Sequence, residues 1–139
     1  MTVAIVNSHR PLFYAAACFN WLAGIPLLVA TAQFARLLGL ELNATASLFI
    51  HITAAVIIVF GGVYALIARD PVRYRVYIPL GIVLKICLVA IVYGWWYSGG
   101  IPWPLPALAA GDILFAALFW RYLRATGASR SSTTQWARS

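Results

Sequence analysis

Four side chains in this sequence can hold protons, charges or hydrogen bonds inside an otherwise hydrocarbon setting: Asn20, His51, Lys85 and Asp112. Each lies in its own apolar block, and Lys85, the only lysine, stands in the middle of the run YIPLGIVLKICLVAIVYGWW. A charged lysine or aspartate at the centre of a membrane helix costs roughly 2.5–3.5 kcal/mol, so two opposite charges on different helices gain by meeting. The expected chemistry is therefore a buried Lys85–Asp112 pair, with Asn20 and His51 completing its hydrogen bonds. His51 would add a group that titrates near neutrality.

The neighbours of these four residues indicate which way they face. At helical spacing Asn20 shares a face with Ala16, Ala17, Ala23, Gly24 and Thr31, and His51 lies with Ser47, Ala54, Ala55 and Gly62. Asp112 is flanked by Ala109 and Ala116, and Gly81 comes one turn before Lys85. Small residues let membrane helices approach closely, so these faces are expected to point into a bundle. Cys18 and Cys87 stand two positions from a polar member, about 200° round the helix, and should face outward as small hydrophobes without a metal or disulfide role. Depth counted from helix ends puts Asn20 and Lys85 near the midplane and His51 level with Asp112, roughly 10 Å from the outer ends.

The elements that must position these groups follow from composition. Of 139 residues, 63% are hydrophobic and 9% charged, well below the roughly one quarter typical of soluble domains. The apolar residues form four blocks, each long enough to cross about 30 Å of hydrocarbon. The expected fold is all-α, a four-transmembrane-helix bundle with helices over about 11–35, 45–68, 76–97 and 105–123. Asn7 or Ser8 should cap the first helix before Pro11, and Pro26 should kink it. The sequon Asn43-Ala-Thr45 reads as a helix cap in preference to a glycosylation site. The bundle accounts for residues 1–124, and 125–139 forms a polar, basic tail expected to be mostly mobile.

Charge placement sets the expected topology. Arg10, Arg69, Arg73, Arg75, Arg121, Arg124, Arg130 and Arg138 fall on one side of the threading and Arg36 alone on the other, which predicts that both termini are cytoplasmic. Although the net charge is +7, the arginines gather at helix ends, so nucleic acid is not an expected partner. Arg69, Arg73 and Arg75 in the loop RDPVRYR could hold anionic lipid headgroups, although a plain topology signal also explains them. Tyr64 and Gln33 could line an entrance or act as interfacial anchors.

The segments FGGVYALIARDPVRYR, FNWLAG, LLGL and GDILFAALFWRYL resemble those of small bacterial four-helix membrane proteins loosely similar to the DoxX-like group. The similarity covers most of residues 11–124 and implies a multi-pass protein of the bacterial inner membrane. Because some DoxX-like members are small subunits of quinone-linked oxidoreductases, it also implies an accessory-subunit role. It carries no site residue and names no cofactor.

Three functional classes remain open on the sequence. The leading one is a small non-catalytic membrane protein, an accessory or ligand-binding subunit of a larger assembly, whose partners are membrane lipids and other membrane subunits or a second copy. The second is a proton-coupled carrier acting as a dimer through Lys85, Asp112 and His51. The third is a membrane enzyme on a lipid-like substrate with Asp112 and His51 as acid and base. The same cluster would also suit a purely structural use, fixing helix register.

Overall fold

The computed structural model describes residues 9–136, with side chains as far as Gly127. Its helices are α1 (Arg10–Val29), α2 (Thr31–Leu37), α3 (Ala44–Arg69), α4 (Tyr77–Tyr97) and α5 (Pro104–Trp136). Four segments are long and apolar enough to cross a membrane: α1, α3, α4 and the portion Pro104–Gly127 of α5. The all-helical, four-span architecture expected from hydropathy is therefore present.

The first apolar block is two helices instead of the one expected over 11–35. Pro26 brings no amide to the ladder, and the chain leaves helical geometry at Ala30 (φ −131°, ψ 44°). The Thr31 hydroxyl donates to the Leu27 carbonyl at 2.8 Å, taking the acceptor that its own amide would use in a continuous helix. Helix α2 then carries the chain to the turn at Gly39, whose φ of 72° suits glycine.

Other termini follow the local chemistry. Pro11 sits in the first turn of α1, after His9, which makes no side-chain cap; Asn7 and Ser8 lie outside the described residues. The Asn43 side chain accepts from the Ala46 amide at 2.8 Å and caps α3. Asp70 ends α3, and its carboxylate takes the amides of Val72 and Arg73 at 3.2 and 3.0 Å, which turns the chain around buried Pro71 into α4. At the other extreme, α5 runs to Trp136 where the sequence predicts an end near 123. No proline interrupts 124–136, and the Arg75 guanidinium donates to the carbonyls of Leu123 (3.1 Å) and Thr126 (3.3 Å), holding that turn in place.

The long helices associate as two close pairs, α1 with α3 and α4 with α5. Glycine makes the first pair close: a Cβ on Gly24 would sit 2.8 Å from Ile58, and one on Gly61 would sit 2.5 Å from the Trp21 ring nitrogen. At that distance Trp21 Nε1 reaches the Ile58 carbonyl at 3.2 Å, a side-chain bond between helices in apolar surroundings. The two pairs are joined mainly by aromatic rings. Phe13 stacks on Phe119 (centroids 5.0 Å) and meets Tyr122 edge-on (5.2 Å), while Tyr64 packs against Phe119 (5.1 Å). This core fills the arginine-rich end of the bundle. Towards the opposite end a second, smaller cluster gathers Leu27, Leu38 and Ala54.

Candidate functional site

Three of the four polar residues predicted to converge do so. Lys85 comes from the middle of α4, opposite the small-residue face of α5, and its Nζ donates to Asp112 Oδ1 in a salt bridge. It also donates to Asn20 Oδ1 at 3.4 Å, and Asn20 Nδ2 donates in turn to the Ile57 carbonyl at 3.2 Å. One chain of hydrogen bonds thus links all four long helices. Lys85 is 2% exposed and Asn20 6%, whereas the Asp112 side chain keeps 19% of its surface open.

The ammonium is also surrounded by rings. Its Nζ lies 5.3 Å from the centroid of Tyr64, 5.6 Å from Phe115 and 5.8 Å from Phe19. Within about 6 Å the negative face of a ring attracts a cation, by about 2 kcal/mol where both are desolvated. Glycines admit these rings, since a Cβ on Gly111 would fall 2.5 Å from Phe19 and one on Gly81 would fall 2.8 Å from Tyr64. Lys85 is accordingly neutralised by one carboxylate and flanked by three aromatic faces, with an amide at its side.

His51 does not join this cluster. Its Nε2 lies 2.8 Å from Thr31 Oγ1, and the residue is exposed on the bundle's flank. Because the single hydroxyl proton of Thr31 goes to the Leu27 carbonyl, His51 Nε2 acts as the donor. The site is level with Ile57, six residues further along α3 than His51, or roughly 9 Å at helical rise. His51 thus ties α3 to the break in the first block.

Tyr64, expected at an entrance or interface, lies instead in the centre of the core, fully buried against Gly81, Phe119 and Lys85. Its placement on the small-residue face of α3, between Gly61 and Ala68, is the sequence signal that points inward. Its hydroxyl is the one buried side-chain polar atom among the described residues without a hydrogen-bond partner. Gln33 is exposed on α2. Of the three loop arginines, Arg69 and Arg73 are exposed, whereas Arg75 is half-buried and used by the carbonyls of α5; it belongs to the bundle's own framework. Cys18 and Cys87 face outward as free thiols, and among the described residues no cluster of His, Cys, Asp or Glu could hold a metal.

Three cavities meet at Asp112, and two of them reach Lys85 as well. A chamber of about 60 Å³ is lined by Asn20, Tyr64, Lys85 and Asp112 together with Phe19 and Leu88. Towards the end away from the arginines, a cavity of about 260 Å³ opens between the two helix pairs, with walls that include Leu27, Ile57, Leu88, Leu105 and Leu108 and with Asp112 at its floor. A lateral groove of about 640 Å³ runs between α4 and α5, bounded by Ile82, Ile86, Ile113 and Trp120, and it too reaches Lys85 and Asp112. Fold and site together define a class: a four-span helical membrane protein whose neutral ion pair stands where its cavities join. No family model, curated protein or solved structure matches the chain.

Proposed function

We propose that this protein is a non-catalytic component of the bacterial inner membrane that holds a lipid-soluble small molecule between its two helix pairs. It serves as an accessory, ligand-binding subunit of a larger membrane assembly, with lipids and other membrane proteins or further copies of itself as partners. The observation that carries this reading is the apolar cavity that ends on Asp112, the carboxylate of the ion pair. Ligand sites are typically concave and apolar, with a few polar groups that fix orientation, and this arrangement has that form. The distance of His51 from Asp112 supports holding over acid–base chemistry, because it removes the pairing that an acid–base step or a three-residue proton relay would use. The similarity to DoxX-like proteins belongs to the same proposal and is the ground for its accessory-subunit part. In this arrangement the arginine-rich end is cytoplasmic, and exposed Arg69 and Arg73 lie at the headgroups of anionic lipids.

Purification in a mild, lipid-preserving detergent followed by native mass spectrometry tests the reading. The expected result is a small apolar molecule or a partner subunit retained by the wild type. The molecule should be lost from Leu108→Trp, in which the indole fills the cavity. A bare monomer from wild type and variant alike would overturn it.

A further inference from the structure

Tyr64, whose fully buried hydroxyl has no partner, is one of the residues that line the same 60 Å³ chamber as Lys85, Asp112 and Asn20. We infer that the molecule held at this site carries one compact, uncharged head with a hydrogen-bond-accepting oxygen, a ketone, aldehyde or alcohol on an apolar body, and that Tyr64 is the donor that selects it. The inference rests on the binding role proposed above and specifies its ligand class.

Three observations converge on that head. The first is the vacant donor. Buried polar groups are nearly always paired, and a hydroxyl withdrawn from water without an acceptor bears a desolvation penalty that a ligand oxygen in the chamber would remove. The neighbouring polar groups already have partners, Lys85 on Asp112 and Asn20, and Asn20 on Ile57, although the ammonium keeps a third N–H and the amide a second. Tyr64 is the group with no partner at all.

The second is charge. Lys85 and Asp112 neutralise each other, so the site is balanced as it stands. A carboxylate, phosphate or ammonium head would add an unmatched charge to low-dielectric surroundings, or would have to break the pair to find a counter-charge. An uncharged head does neither.

The third is the shape of the space. The chamber is small beside the 260 Å³ cavity above it, whose walls are mostly leucine and isoleucine, so head and body are sorted by size and polarity. The groove between α4 and α5 brings the same pair within reach of the hydrocarbon phase, so a membrane-dissolved molecule arrives sideways from the bilayer.

The test is equilibrium binding of tritiated decan-2-one to the full chain in phosphatidylcholine nanodiscs, with Leu108→Trp nanodiscs as the blank for partitioning into lipid. Decan-1-ol, decane, decanoate and decylammonium serve as competitors with the same chain length. Decan-2-one should bind saturably and be displaced by decan-1-ol, with decane and both ions about tenfold weaker or worse. Tyr64→Phe, which keeps the ring against Gly81 and Phe119, should weaken decan-2-one about tenfold and leave the affinity for decane unchanged. Saturable binding that favours decane or decanoate equally, or that ignores Tyr64→Phe, would overturn the head assignment and leave the binding role standing. No saturable binding above the blank would overturn the binding role and this inference with it. The competitor series in the wild type tests the class of head independently of Tyr64→Phe.

Discussion

At the arginine-rich end the four long helices close around interlocking rings; at the other end they part around a cavity. The difference lies in which side chains point inward at each level. Phe13, Tyr64, Phe119 and Tyr122 fill the space between the two helix pairs at the closed end. At the open end the inward positions around the cavity are Leu27, Leu108 and Ala109, too small to bridge the same gap. Small residues bring helices together within a pair, but between pairs they leave room, so one residue class has opposite effects according to where its helix stands. The ion pair sits at the boundary of the two regimes.

That contrast can be broken by mutation, and the sizes should fall in order. Phe119→Ala, at the centre of the closed end, removes a ring that touches Phe13 and Tyr64 and should cost about 4 kcal/mol of unfolding free energy, read by reversible denaturant titration in bicelles. Asp112→Asn leaves Lys85 buried without a counter-charge and should cost about 3 kcal/mol in the same titration. Replacing both charges together, as Lys85→Met with Asp112→Leu, should recover most of that loss in the same titration, because no buried charge is then left without a partner. Leu108→Ala only widens a cavity that is already open and should cost about 1 kcal/mol or less. A Leu108→Ala cost equal to that of Phe119→Ala would erase the distinction between the two ends.

The four spans were legible from hydropathy, and so was the meeting of Asn20, Lys85 and Asp112, because each is flanked by small residues that mark an inward face. His51 carries the same flanking pattern, and its misplacement has a geometrical cause. Counting residues from helix ends assumes that the ends are level, yet the site is reached 13 residues after the start of α3, at Ile57, and eight after the start of α5, at Asp112. Helix α3 therefore begins roughly 7 Å farther out than α5, and His51 rides up with it. The break at Ala30 was equally hidden, since Pro26 announces a kink but not the capture of the Leu27 carbonyl by Thr31. Tyrosine is common at membrane interfaces, which argues for an anchor at Tyr64, but its place between Gly61 and Ala68 on a small-residue face is the better guide.

Lys85 and Asp112 occupy consecutive spans, joined by a connection that runs only from Ser98 to Trp103. During synthesis α4 emerges first, with a positive charge at its centre that costs about 2.5–3.5 kcal/mol until it is matched. Once α5 follows, the charges cancel and that cost is relieved within one hairpin of consecutive spans. The pair that balances the finished site thus also ties the third span to the fourth through a contact that needs neither of the first two.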